Sequence, residues 1–209
     1  MKVDRRRIVV VALDVLNERG VDGLTTRLIA DRLGVQQPAL YWHFKNKRAL
    51  LDAMNVEILA RGHTHRGPAP GEDWRAFLRE NARSFRRALL AYRDGARVHA
   101  GTEADPGDLD QVEAQLAFVV TDTGLPPVDA MELFIAVSHY VVGCVLEEQA
   151  DAPEGPGRGA ALDAAAKDRP LLSKALAHYR EAGHARLFEA GLELLIDGAA
   201  RRIERQAGG

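Results

Sequence analysis

A chain of 209 residues with 46% hydrophobic and 28% charged side chains can bury a sizeable core and has the charge content of an ordinary soluble protein. Its single cysteine, Cys144, excludes an intrachain disulfide and a cysteine-cluster metal site and reads as a small buried apolar residue. The formal net charge is −2, yet residues 1–48 hold ten Lys and Arg against five Asp and Glu, a net +5 that leaves −7 for the rest: a basic head that can meet phosphates on an acidic body that stays off them.

The patterning is helical, with no strand alternation bounded by hairpin turns. The opening MKVDRRRIVVVAL is basic and then apolar. Asp14 and Asn17-Glu18-Arg19 break the run, and no small-residue cleavage site follows, so it reads as a helix rather than a leader. That first helix runs from Asp4 to Arg19 with Ile8, Ala12, Val15 and Leu16 on one face, and Gly20 ends it. A second starts at Thr26 behind an N-capping Thr25, is apolar at Leu28, Ile29 and Leu33, and stops at Gly34. A third is expected over residues 37–44, with Pro38 in its first turn, where a missing N–H is harmless. Asn46 caps a fourth, whose stripe of Leu50, Leu51, Met54, Ile58 and Leu59 reaches about His63.

The Gly67-Pro68-Ala69-Pro70-Gly71 run is a break, and helices follow over 73–92, 94–100 and from Pro106 to Thr123. Pro126-Pro127 opens a long apolar helix through Met131, Phe134, Ile135, Val142 and Val145 to Gln149. Residues 151–169, rich in Ala, Gly, Pro and Asp, read as a mobile loop. Helix resumes over 170–179, and a last one over 185–205 is apolar at Leu187, Phe188, Leu192, Leu195, Ile196 and Ile203. No segment reads as an uninterrupted membrane span, which points to a cytoplasmic protein without a membrane partner. The expected organisation is all-α: a three-helix DNA-binding domain over 1–47, a connecting helix over 48–66, and a larger ligand-binding and dimerisation domain over 67–209.

The second and third helices fit a helix-turn-helix, whose second helix enters the major groove. Thr26 and Arg27 open one helix, and Gln37, Pro38, Ala39, Tyr41 and Trp42 lie on the other. Gln pairs with adenine, Arg with guanine, and Pro38 and Ala39 are small enough to touch a thymine methyl. Tyr41, His43 and Lys47 suit phosphates. Further along stands a scattered polar set: His63, Asn81, His99, Thr102, Gln115 and Glu147. Taken alone, His99 reads as a structural histidine and Glu147 as a solvated face. No nucleophile–base pair or metalloprotease spacing appears, so nothing points to an enzyme.

The segment LTTRLIADRLGVQQPALYWHFKNKRALLDAM resembles the DNA-binding domain of the tetracycline repressor family of helix-turn-helix regulators. RAFLRENARSFRRALLAYRDGARVHAGT, EAQLAF, SHYVVGCVLEEQ and FEAGLELLIDG resemble the family's ligand-binding core. The resemblance covers nearly the whole chain. It implies a homodimeric repressor in antibiotic resistance whose long C-terminal helices form a four-helix bundle with the partner. It implies release from palindromic operator DNA by a tetracycline–magnesium chelate. By the same resemblance His63, Asn81, Phe85 and Gln115 contact the drug, with Met131, Phe134 and Ile135 as apolar wall. His99 binds Mg2+ directly, while Thr102 and Glu147, the latter across the dimer, hold metal-bound waters. Glu103-Ala104-Asp105 departs from a family pattern with a basic residue and a proline, and Arg66-Gly67-Pro68 departs as well. A related polyketide or another drug is the alternative inducer.

Overall fold

The computed structural model describes residues 3–102, 105–150 and 157–207, and among them there is no strand. Among these residues ten α-helices and one short 3-10 turn build an all-α fold, with a helix-turn-helix head leading into a larger helical body.

Local caps set the first boundaries. The Asp4 side chain accepts from the Arg7 N–H at the start of α1 (Arg5–Gly23). The helix breaks at Gly20, which adopts φ 69° and ψ 174°, so the expected end is correct and one more turn carries Val21 into the core. Thr25 Oγ1 accepts from the Leu28 N–H to open α2 (Thr26–Leu33), and Gly34 closes it in the left-handed region.

The next helix is shorter than the periodicity predicts: α3 is the single turn Pro38–Tyr41. The N–H groups of His43 and Phe44 both turn back to the Leu40 carbonyl. Phe44 is buried, and Asn46 must be extended to cap α4, so the chain leaves the helix early. Helix α4 (Lys47–Gly62) then buries Leu50, Met54, Asn55 and Ile58. Gly62 lies where it crosses α5 (Trp74–Leu90), and a Cβ there would stand 2.7 Å from the Ala88 Cα.

A short α6 (Gly95–His99), a 3-10 turn (Pro106–Asp108) and α7 (Leu109–Thr123) follow. The remaining helices are α8 (Pro127–Ala150), α9 (Gly157–Ala166) and α10 (Pro170–Ala207), the last broken at Gly183 (φ 67°). One continuous core runs from Ile8 and Leu16 in α1, through Met54, Phe77 and Leu89, to Phe188, Leu192 and Ile196 in α10.

Two expectations need correction. Residues 157–166 form helix, not a loop: Ala160, Ala161, Ala164, Ala165 and Ala166 are the residue type of highest helix propensity, and Ala166 is buried where α9 packs on α10. Of the rest of that expected loop, 167–169 form the non-helical turn between α9 and α10, and 151–156 lie outside the described residues. And α8 is long and apolar enough to cross a membrane by length and composition. Its packing partners here are α5, α6, α7 and α10, and an Arg86–Glu148 ion pair ties its far end to α5. Cys144 is half-buried against the core.

Candidate functional site

The first functional surface is the tip of the head. Arg27, Pro38, Tyr41 and Trp42 are exposed there, Trp42 with 88% of its surface in solvent. A bare indole costs solvation unless something covers it. Gln37 Nε2 donates to Thr26 Oγ1 at 2.8 Å and lies 3.4 Å from the Tyr41 hydroxyl, so these three side chains lock the two helices of the motif together. Ala39 is half-buried on the same turn. His43 is half-buried, and its carbonyl accepts from Arg5, whose guanidinium covers the Phe44 ring at 4.4 Å. Lys47 is exposed, yet its Nζ donates to the Val21 carbonyl at 3.0 Å, so it also anchors the end of α1.

The second is a cavity of about 540 Å³ inside the body, walled by α4, α5, α7 and α8 and floored by the end of α6. It brings together His63, Asn81, Phe85, His99, Thr102, Gln115, Met131, Phe134 and Ile135, which are up to 72 positions apart in the chain. It does not include Glu147, which is exposed on α8 outside the cavity.

The polar groups have defined hydrogen-bonding directions. Asn81 Nδ2 donates to the His65 carbonyl at 2.9 Å, and Gln115 Nε2 donates to the Arg66 carbonyl. A carbonyl only accepts, so each amide must turn its nitrogen there, leaving Asn81 Oδ1 and Gln115 Oε1 as acceptors. Buried Ser84 Oγ accepts from the His65 N–H at 2.9 Å and lies 2.8 Å from His63 Nδ1. Among the described residues the Ser84 hydrogen has no other acceptor, so it goes to Nδ1, and neutral His63 carries its own on Nε2. Burial, helped by the Arg66 charge, pushes the His63 pKa down to about 4 and keeps the ring neutral. Asn55 bridges His99 Nδ1 (2.9 Å) and Thr102 Oγ1 (3.3 Å), while Thr102 donates to the His99 carbonyl at 2.7 Å. Burial, with Arg48 nearby, also lowers the His99 pKa. Phe85 meets both rings, at 5.5 Å from His63 and edge-on at 5.0 Å from His99.

Among the described residues no group of three or more His, Cys, Asp or Glu could hold a metal ion. One neutral imidazole and one hydroxyl are too few ligands for a bare Mg2+, which wants six oxygen-rich ligands. The donor set does fit a cation that arrives with a chelating ligand and keeps waters, with His99 as the one protein ligand and Thr102 within reach of a water.

Asn55 and Ser84 are part of this site and were not singled out in the sequence. Asn55 had a signal: it stands four residues from both Leu51 and Leu59 on the apolar stripe of α4, where a polar side chain needs a partner. Ser84 had none, because its partners are 19 and 21 residues away.

Two family models match the chain: bacterial regulatory proteins of the tetR family over residues 8–54, and the tetracyclin repressor-like C-terminal domain over residues 67–203. The chain is 51% identical to the class A tetracycline repressor protein from transposon 1721 of Escherichia coli, covering 96% of this chain and 92% of that protein. Its structure resembles that of TetR from Acinetobacter baumannii AYE, with a TM-score of 0.79 and 46% identity over 97% of this chain and 99% of that one. It also resembles a class A TetR in complex with 5a,6-anhydrotetracycline and magnesium, with a TM-score of 0.72 and 44% identity over 93% and 96% of the two chains. These relatives are transcriptional repressors, not enzymes. With an exposed helix-turn-helix on one end and a cavity that sets a few polar groups in an apolar wall in the other, this chain belongs to the tetracycline repressor family of helix-turn-helix transcriptional regulators.

Proposed function

We propose that this protein is a cytoplasmic, homodimeric repressor that binds palindromic operator DNA and is released by a tetracycline bound as its magnesium chelate. Residues 1–47 read the DNA, 48–66 connect, and 67–209 bind ligand and dimerise. The observation that carries this is the polarity of the cavity: acceptor oxygens on Asn81 and Gln115, a donor N–H on His63 and one imidazole on His99, set in a mostly apolar wall. That pattern suits a rigid, hydroxyl-rich polycycle that brings a cation of its own.

In this reading His63, Asn81 and Gln115 orient the ligand, while Phe85, Met131, Phe134 and Ile135 exclude water from its rings. His99 takes one coordination position on Mg2+, Thr102 accepts from a metal-bound water, and Glu147 of one subunit does so for the cavity of the other. The cation supplies charge neutralisation for a deprotonated chelating ligand. On the DNA side Thr26, Arg27, Gln37, Pro38 and Ala39 meet base edges, and Tyr41, Trp42, His43 and Lys47 meet the backbone. Dimerisation is supported by apolar positions left in solvent on α8 and α10, among them Val128 and Leu194, the latter 74% exposed.

The test is titration of the protein–operator complex with tetracycline, with and without Mg2+. Release that requires both is expected. Binding to operator that no tetracycline relieves would overturn the ligand assignment. A second reading, the same repressor induced by another polyketide, is favoured by the charged rim of the cavity, where Arg66 pairs with Asp108 at 2.6 Å and Asp105 and His139 also line the wall. Tighter release by a carboxylated or cationic polyketide than by tetracycline would favour it.

A further inference from the structure

We propose that Asn55 is a positioning residue: its buried amide holds the His99 ring as the Nδ1–H tautomer, so that Nε2 presents a lone pair to the cavity. This deepens the reading of the cavity given above and rests on it for the identity of the cation.

The argument is a closed chain of donors and acceptors. The Thr102 hydroxyl has one hydrogen, and the His99 carbonyl 2.7 Å away can only accept it. Thr102 Oγ1 must therefore accept from Asn55, which turns Nδ2 toward Thr102 at 3.3 Å and Oδ1 toward His99. Oδ1 only accepts, so His99 Nδ1, 2.9 Å away, must be the donor. A neutral imidazole has one N–H, which leaves Nε2 unprotonated. Among the described residues Nε2 has no hydrogen-bond partner, and His99 lines the cavity. Without Asn55, nothing in this chain of bonds decides between the two tautomers, and the Nε2–H form cannot ligate a metal through the nitrogen that faces the cavity.

Burial makes the arrangement consequential. Asn55 is only 6% exposed on a helix face otherwise given to Leu50, Met54 and Ile58, so its amide has no water to fall back on. The same amide spans the two groups assigned to the cation's shell, one as direct ligand and one through water. Outer partners of this kind fix ring orientation and are worth roughly 10–100-fold in metal affinity.

The test uses the full-length, 15N-labelled protein without ligand. Long-range 1H–15N spectra report which imidazole nitrogen carries hydrogen, and His99→Gln identifies the signal. The wild type should show His99 protonated at Nδ1. Asn55→Ala should give a mixture or the Nε2–H form, and Asn55→Asp, which keeps an acceptor facing Nδ1, should restore Nδ1–H. In tetracycline titrations, the ratio of affinities with and without Mg2+ should fall about 10–100-fold in Asn55→Ala and recover in Asn55→Asp. A purely structural role would lower both affinities together and leave that ratio unchanged. Nε2–H in the wild type overturns the proposal with no variant needed, and so does an unchanged tautomer in Asn55→Ala. If tetracycline fails to bind the wild type, the ligand reading fails and the tautomer comparison still decides the role of Asn55.

Discussion

The carboxylate of Asp94 accepts a hydrogen bond from the backbone N–H of Val21 at 2.8 Å, joining the start of α6 to the end of α1. Asp94 adopts a left-handed φ of 57° to reach it, and Gly20 makes room, since a Cβ there would lie 2.7 Å from Asp94 Oδ2. Around this bond Arg97 pairs with Asp22 at 2.9 Å, Arg93 donates to the Glu18 carbonyl at 3.2 Å, and Arg48 of α4 donates to the Ala100 carbonyl at 3.3 Å. The far end of α6 carries His99. The cavity floor therefore reaches the head by two routes, through α4, a rod of about 24 Å, and directly through the turn at Val21.

Breaking the direct route should uncouple the two ends. Asp94→Ala leaves the Val21 N–H unpaired and removes nothing from the cavity. The expected outcome is ligand affinity within about two-fold of wild type, with a smaller difference between ligand affinities measured with and without saturating operator. That difference must equal the effect of ligand on operator affinity. A full-sized coupling in Asp94→Ala would mean that α4 alone carries the signal.

On DNA, Arg27→Ala should cost about 1–3 kcal/mol on operator and relax preference at one base pair per half-site. Lys47→Ala should weaken operator and random DNA alike, reduce the salt slope, and also lower the melting temperature, because Lys47 anchors the Val21 carbonyl. Equal losses on operator and random DNA for Arg27→Ala would remove it from base reading.

The buried neutral His63 makes stability depend on pH. Its folded pKa of about 4 lies below the unfolded value of 6.5, so the unfolded chain binds the extra proton between them. The contribution is complete above about pH 6.5 and is lost as pH falls toward 4, by up to about 3 kcal/mol. Burial of His99 acts in the same direction. Urea denaturation at pH 7 and pH 5 should show the loss, and His63→Gln should reduce the difference between the two. An unchanged difference would mean that His63 is protonated at no cost.

Subunit association should depend on the exposed face of α10. Leu194→Arg puts a charge where the bundle with the partner is proposed. Sedimentation at micromolar concentration should show a dimer for wild type and a monomer for the variant, with loss of operator binding at half-sites roughly 34–36 Å apart. A wild-type monomer would end both the dimer and the role of Glu147 across it.

The ligand chemistry has its own check. His99→Ala should abolish the dependence of tetracycline binding on Mg2+ while leaving weak, metal-independent binding. Wild-type affinity that a chelator does not change would remove the cation from the site.

What the sequence determined by itself was local. The caps at Thr25 and Asn46 and the stop at Gly34 work through bonds spanning three or four residues, and the stripe of α4 is a periodicity that any helix must bury. The resemblance in the quoted segments named the head and most cavity residues. The tertiary structure decided what depends on distant partners. α3 stops after one turn because Phe44 must enter the core, and Gln37 is tied to Thr26 across the turn. The direction of each polar group in the cavity depends on neighbours brought together by packing, as with His63 and Ser84, 21 positions apart, or Asn55 and Thr102, 47 apart. A donor or acceptor has no fixed role until its partner is in place, and no pattern within one helix specifies a partner on another.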